Sequence, residues 1–522
     1  MPEPFDVAIV GLGPVGAALA AGLAMRGARV VVLERSTAPH AQPRAAHLDD
    51  DALRVLQGVG ALSPVLAAGR PLDGFDLVRP TGETLLRARK RVAWSMSLPP
   101  ALLVHQPDVE DALRARLDEL GVEVRLGIEV VAIAQDADGV TLASAAGAPV
   151  RARYAVGCDG ARSRVREAMG VALEGGRFEE RWLVIDARVP PRADLPERLL
   201  QIADADQPAT YVPFPGRRRR WEFRLAPAEA AEGARQPDAV RARLRPFLAP
   251  AGVDPAAVAI ERAAVYTFHD LVAARWRRGR ILLAGDAAHQ MPPFLGQGLG
   301  AGLRDVATLG WMLPLVARGI ASPSLLDVYQ AERRPHVETT TRLAVRLGRL
   351  ISASGAAARV RDLGLRAAHR AGLADRLRSI EAPLPRVRPQ LATSGRLPRD
   401  PRLPQPRASG AGHVRRLDDA LGRGFAVLGI GLDARRWAGG DAVWRQLDTA
   451  FLTLDADAWE PAGELARWAG RAACAVVVRP DRIALGVYRP DGAARAAGDL
   501  EAALRPQRPP RRRRIWRLRG PG

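Results

Sequence analysis

Residues 5–35 read FDVAIVGLGPVGAALAAGLAMRGARVVVLER. The run over 5–10 has the apolar, β-branched make-up of a buried parallel strand, and Gly11 lets the chain turn sharply off its end. Gly13 has no side chain, so a pyrophosphate approaches the backbone at the positive end of the helix that follows. Gly16 lets that helix pack closely on the sheet. A second apolar run over 30–33 ends in Glu34, a carboxylate placed to accept hydrogen bonds from ribose hydroxyls. A lone GxGxxG is weak, but strand, helix, strand and terminal acid in this order predict a dinucleotide-binding βαβ unit. That unit alone does not separate FAD from NAD, since both present an ADP half.

The 522 residues suggest about three units at roughly 150 residues each. A hydrophobic share of 48% is ample for real cores. Cys158 and Cys474 are the only cysteines and lie outside any CxxC, so neither a disulfide framework nor a cysteine metal site is expected. The start of the chain has no secretory pattern, and no apolar span is long enough for a membrane helix. The expectation is a cytoplasmic protein without membrane contact. The formal charge of +20 comes from arginines scattered through every segment, with Lys90 the single lysine, which reads as compositional bias rather than a nucleic-acid face. Only the end, RPQRPPRRRRIWRLRGPG, concentrates charge; it cannot bury a core and is expected to be disordered.

Along the chain, HLDDDALRVLQGVG (47–60) predicts a helix with Asp49, Asp50 and Asp51 at its positive end. PDVEDALRARLDELG predicts a second, and strands follow it with a hairpin turn at Asp138-Gly139. Residues 181–268 alternate short β-like runs with Pro and Gly turns, the texture of an inserted sheet-rich domain. Helical spacing returns over 298–318 and 323–378. A Pro-rich connector then leads to four strand-like runs of a small α/β module. The predicted division is a dinucleotide-binding domain over 1–73, 98–180 and 269–345, a substrate domain over 74–97 and 181–268, a helical segment over 346–382, a linker over 383–412, a C-terminal module over 413–502 and a basic tail over 503–522.

The cofactor is decided far downstream, at GRILLAGDAAHQMPPFLGQGLGAGLRD (279–305). An apolar strand ends at Gly285-Asp286, and a Pro- and Gly-rich loop enters a new helix near Gly298, presenting backbone amides to something electron-rich. With Asp159-Gly160 after another strand, the chain resembles the FAD-dependent aromatic hydroxylases, the class A flavoprotein monooxygenases. VYTFHDLVAARW, PRAAHLDDDALRVLQ and RRWEF carry the resemblance further, to the 3-(3-hydroxyphenyl)propionate hydroxylase subfamily, whose members carry a C-terminal thioredoxin-like module. Family members continue the Gly-rich loop as GMNSGIRDAANLAWKL, whereas this chain runs Leu299-Gly300-Ala301-Gly302, which leaves the particular substrate open.

The resemblance implies an α/β fold: a Rossmann-like FAD domain, an inserted β-rich substrate domain, a helical segment and a thioredoxin-like module without CxxC. For that module it leaves packing or homodimer formation. It implies that Gly11, Gly13, Pro14, Val15 and Gly16 border the FAD pyrophosphate, that Glu34 with Arg35 holds the adenosine ribose, and that Arg44 and Gln106 meet nearby FAD atoms. Asp159 and Gly160 would serve FAD and NAD(P)H. Gly285 and Asp286 would hold the ribityl region, and Pro292, Pro293, Gly296, Gln297, Gly298 and Leu299 would border the flavin ring. NAD(P)H binds transiently in this family, which fits the lack of a second βαβ fingerprint. The implied reaction takes NAD(P)H, O2 and a phenol to a hydroxylated ring through a flavin hydroperoxide, the cofactor carrying the hard chemistry. Pro293 is expected to wall that site from water. His47, Tyr266, His269 and His289 are candidates to ionise the phenol, and Arg220 to position flavin or a substrate carboxylate. An epoxidase or reductase acting on an aromatic or polyketide substrate is the alternative on the same scaffold.

Overall fold

The first strand, Phe5–Val10, lies inside a largely parallel sheet. It pairs in parallel with Val30–Glu34 on one side and Val150–Gly157 on the other. Glu123–Leu126 and Ile281–Leu283 extend the sheet outward, again in parallel. A computed structural model describes residues 4–506 apart from 40–43, 90–96, 146, 227–228, 372–384, 386, 392, 411–412 and 455–462. The helix Pro14–Ala24 is buried over its middle, and its alanines and glycines let Gly298–Ala317 pack against it. The expected hairpin is present: Val130–Gln135 and Val140–Ser144 pair antiparallel, and Asp136 Oδ1 accepts the Asp138 and Gly139 amides at the turn.

A second eight-stranded sheet unites residues distant in sequence. Gly74–Val78 and Thr84–Arg89 join strands drawn from Leu173–Arg188 to Ala259–Ala273, with His289–Gln290 at the far edge. Sequence texture places the inserted domain at 74–97 and 181–268, but the sheet itself runs on to both sides. The long partners Leu173–Arg188 and Ala259–Ala273 are continuous antiparallel strands with bulges, so no break separates the inserted domain from its parent. The helical region divides into Leu325–Ile351 and Gly355–Arg370.

The C-terminal module holds a four-stranded sheet. Ala426–Ile430 pairs in parallel with Ala450–Leu454 and antiparallel with Cys474–Val478, which pairs antiparallel with Ala484–Tyr488. The Pro-rich connector before it is packed rather than loose: Leu403 and Gln405 are both 0% exposed, and Arg396 and Arg402 form β-bridges to Val487 and Ile483. Prolines fit because an extended edge segment needs few backbone donors. The last helix, Ala493–Leu504, runs past residue 502, and 507–522 lie outside the described residues. Phe425, Val427 and Leu500 belong to the same continuous core as the first strand. A buried ion pair, Arg479 Nη1 to Glu332 Oε1 at 2.7 Å, joins module and helix Leu325–Ile351.

Candidate active site

One cavity of about 1770 Å³ is lined from both eight-stranded sheets. That exceeds the roughly 300–1,000 Å³ of a single small-molecule site, and its two halves differ in chemistry.

Gly11, Gly13, Pro14 and Val15 line one half, with Glu34 and Arg35 beside them. The three fingerprint glycines do different work. Gly11 has φ +104°, and a Cβ there would stand 2.5 Å from the Cys158 carbonyl oxygen. At Gly16 a Cβ would collide with the Gly11 carbonyl, so this residue serves packing and does not line the cavity. Gly13 caps the buried helix with φ −69°, and a Cβ there would meet nothing within 4 Å. Open space at a positive helix end suits an anion. Glu34 Oε2 accepts the Leu12 amide at 2.7 Å and Oε1 the Ser36 amide at 2.9 Å, which fixes the carboxylate while lone pairs remain for hydroxyls.

Gln106 acts on the backbone: its Oε1 accepts the amides of Arg44 (3.1 Å) and Ala45 (2.7 Å), while its Nε2 donates to Glu110 at 2.7 Å. It thereby sets the segment from which Arg44 reaches the cavity. Asp159 accepts from the Ser163 hydroxyl (2.5 Å) and the Val165 amide (3.1 Å), shaping the turn into the helix Arg164–Ala168, and burial raises its pKa. Gly160, at φ +78°, keeps the cavity side of that turn free of side chain. Asp286 is accessible within the cavity, where the enclosing protein raises its pKa against the lowering influence of His289 and Arg44. Gly285 stays out of the wall and gives its amide to Asp305.

The following loop joins the two halves. Pro293 is exposed to the cavity and Pro292 buried. Phe294 packs edge-on against Phe178 (5.9 Å between centroids) and Trp182 (5.6 Å), which makes the loop a firm wall. His47 Nδ1 donates to the Gly296 carbonyl at 3.3 Å. Gln297, Gly298 and Leu299 bring the N-terminus of the helix Gly298–Ala317 to the same space.

The other half is mostly apolar, with Phe75, Leu86, Val212, Val265, Phe268 and Leu347 in its wall. Tyr266 and His269 also face it, the Tyr266 hydroxyl meeting Arg262. Arg220 is engaged by the protein: its fork grips Asp186 at 2.7 and 3.1 Å, and Nη1 donates to the Arg44 carbonyl at 3.0 Å. It therefore ties the second eight-stranded sheet to the Arg44 segment. His289 is outside the cavity wall, buried between Asp305 (2.7 Å) and the Trp276 ring. The sequence reading missed several wall residues. Gln201 accepts from the Thr210 hydroxyl at 2.7 Å, Glu222 has a pKa raised by burial, and Asp400 and Arg402 arrive from the connector.

Asp50, another wall residue, has its pKa pushed up to about 7 by burial and by repulsion from Asp51 and Asp49. A carboxyl whose folded-state pKa lies above its unfolded value binds a proton on folding, so its contribution to stability falls as pH rises through that interval. Asp50→Asn is expected to melt like the parent near pH 4 and a few degrees higher at about pH 8, read as melting temperature against pH.

Among the described residues, no helix is long and apolar enough to cross a membrane and no cluster of His, Cys, Asp and Glu could hold a metal. The FAD binding domain family matches residues 4–344, and the HcaD C-terminal domain family residues 402–503. A probable NADH-specific resorcinol 4-hydroxylase of Rhodococcus jostii (strain RHA1) is 36% identical, over 97% of this chain and 96% of that protein. The 3-(3-hydroxy-phenyl)propionate/3-hydroxycinnamic acid hydroxylase of Mycolicibacterium smegmatis is 37% identical, over 86% of this chain and 82% of its own length. Among solved structures, OxyS anhydrotetracycline hydroxylase from Streptomyces rimosus superposes with a TM-score of 0.76 at 28% identity, covering 96% of this chain and 99% of that one. Open glycine backbone at a helix N-terminus, a carboxylate at the strand tip and two further loops closing on one cavity fit FAD; the chain belongs to the FAD-dependent aromatic hydroxylases and is a flavoprotein monooxygenase.

Proposed function

We propose that this enzyme hydroxylates a phenolic ring of the resorcinol or 3-(3-hydroxyphenyl)propionate type, with NADH or NADPH as electron donor and O2 as oxygen source. The observation that carries the reading is the 293–299 loop, which borders both the glycine-lined half of the cavity and its apolar half. When bound, FAD supplies the redox chemistry, accepting electrons from the nicotinamide and delivering one oxygen atom to the ring. The chain's own residues bind, orient and exclude water. Gly13 and the helix behind it receive the pyrophosphate, Glu34 the ribose, and Asp286 the polar chain toward the flavin. The amides at Gln297 and Gly298, at the helix N-terminus, would be the donors offered to the electron-rich flavin ring. Phe75, Val212, Val265 and Phe268 hold the aromatic substrate dry, and Tyr266 and His269 face the same half, each able to exchange a proton with a phenol hydroxyl.

The C-terminal module reads as thioredoxin-like, a reading supported by its strand order and by one parallel pair among antiparallel ones. Without a CxxC it has no dithiol chemistry, and its role is packing. Two unpaired cysteines fit a cytoplasmic setting.

The test is NADH and NADPH oxidation by the FAD-loaded protein across a panel of phenols, with product analysis. A suitable phenol is expected to accelerate oxidation and to return with a new hydroxyl ortho or para to the first, where phenolate density is highest. Failure of every phenol to be oxygenated would leave the epoxidase or reductase alternative. Pro293→Gly is expected to keep its FAD but to release several-fold more H2O2 per nicotinamide oxidised, because it loosens the wall and not the dinucleotide anchor.

A further inference from the structure

The RRWEF stretch crosses the second eight-stranded sheet as the strand Arg218–Arg224, and its side chains alternate between two faces. Trp221 and Phe223 point into the core behind the sheet, whereas Arg220 and Glu222 border the cavity. Arg220 is engaged by Asp186 and the Arg44 carbonyl. Glu222 is not held in this way: its carboxylate accepts no hydrogen bond among the described residues, and Arg220 Nη1 stands 3.6 Å from it, beyond hydrogen-bond distance.

The antiparallel register places Glu222 in a polar row. It lies directly opposite Thr210, and Thr210 lies opposite Gln201, so all three border the cavity from adjacent strands. The row spans two strand spacings, about 9.5 Å, with a short side chain between two long ones. On the next row Leu199 and Val212 face the same space, so the polar groups are set in an apolar wall. The Thr210 hydroxyl donates to Gln201 Oε1 at 2.7 Å, which turns the amide so that Nε2 is left without an acceptor among the described residues. Gln201 is 6% exposed and Thr210 7%. A donor and an acceptor left over on a sheltered wall call for a partner. The row names its chemistry: Nε2 donates and the carboxylate accepts, so the partner must do both. A hydroxyl does; an ionised carboxylate only accepts and would be repelled by Glu222, and a methyl group would satisfy neither.

We propose that Glu222 and Gln201 bind a hydroxyl of the aromatic substrate, Glu222 accepting its O–H and Gln201 Nε2 donating to its oxygen, with Thr210 positioning the amide. The inference rests on the phenolic reading above and deepens it. The end of the substrate that meets this sheet is a hydroxyl, and a carboxylate on the ring, where there is one, points elsewhere. Burial raises the pKa of Glu222, and a hydroxyl donated to it supplies the hydrogen bond that its charged form lacks.

The test is equilibrium binding of m-cresol and m-xylene to the full-length, FAD-loaded protein without nicotinamide, followed by the change in flavin absorbance. The two rings differ only by a hydroxyl in place of a methyl group. The ratio of their affinities, m-cresol over m-xylene, is expected to fall about tenfold to a hundredfold in Glu222→Leu, the loss of one charge-assisted hydrogen bond, and several-fold in the isosteric Glu222→Gln. Thr210→Val should lower the ratio about two- to tenfold, and Thr210→Ser should restore it. A merely structural role would weaken both rings alike and leave the ratio in place. Glu222→Gln carries the test if Glu222→Leu does not fold. Binding of m-cresol with a ratio unchanged in the Glu222 variants overturns this inference alone; absence of binding by any phenol overturns the phenolic reading and this inference with it.

Discussion

Gly13→Val is expected to fold and to purify colourless. Its Cβ would point into space that no protein atom occupies within 4 Å, so the apo fold has little reason to notice it. That space is the cavity end at the positive terminus of the helix Pro14–Ala24, and added carbons there keep a pyrophosphate away from the amides. Overpacking of this kind corresponds to a loss of about tenfold to a hundredfold in FAD affinity, or more if the backbone shifts. Gly11→Ala and Gly16→Val serve as contrast. At Gly11 a side chain faces a positive φ and the Cys158 carbonyl, and at Gly16 it strikes the Gly11 carbonyl, so both should lower the melting temperature of the apo protein itself. Flavin absorbance and apo-protein melting separate the two outcomes. A Gly13→Val protein that binds FAD like the parent would remove the pyrophosphate from this turn.

Asp305→Ala is expected to cost about 3–5 kcal/mol of stability, since it leaves a buried cation uncompensated. Asp305 and Arg333 are 0% and 1% exposed. The carboxylate accepts from Arg333 Nε at 2.9 Å, His289 Nε2 at 2.7 Å and the Gly285 amide at 3.0 Å. Burial alone would raise its pKa, but His289 and Arg333 outweigh that and hold it below the ordinary value. This one side chain therefore braces the loop that carries Asp286 against the helix Leu325–Ile351. Asp286→Ala should do the opposite: melt like the parent as apo protein and lose FAD affinity, because Asp286 presents itself to the cavity. Melting curves and FAD titrations of the two variants give the comparison, and matching phenotypes would refute the division of labour.

What the sequence discloses depends on how far the interacting residues lie apart. The βαβ unit is legible because its strand, glycines, helix and Glu34 are consecutive, and each has one local requirement. The four strands of the C-terminal module are legible for the same reason. Asp49, Asp50 and Asp51 are half legible. Asp49 does cap its helix, accepting the Ala52 amide at 2.9 Å, but Asp49 and Asp51 also hold Arg304, and Asp51 holds Arg402 at 3.0 Å. Those partners come from a different helix and from the connector, and no spacing rule announces them. Arg220 reads from sequence as a candidate ligand-positioning arginine, yet its forked bonds to Asp186 depend on the antiparallel register of two strands. His289 sits in a motif that resembles the family's, but only the fold turns it toward Asp305 and Trp276. The connector reads from sequence only as a linker, because proline content reports what a segment cannot do, not what it rests against.

That connector has a thermodynamic corollary. Arg402 ion-pairs with Asp51 and bridges to Ile483 of the C-terminal module, while Asp50 and Arg402 both stand in the cavity wall, so the cavity and the module's attachment share residues. Whatever binds the native cavity must then also stabilise the module's attachment, by mass action and without any new contact to the module itself. Loading the flavin and docking the C-terminal module are in this sense one equilibrium, and a chain whose sequence reads as separate modules is thermodynamically coupled across them.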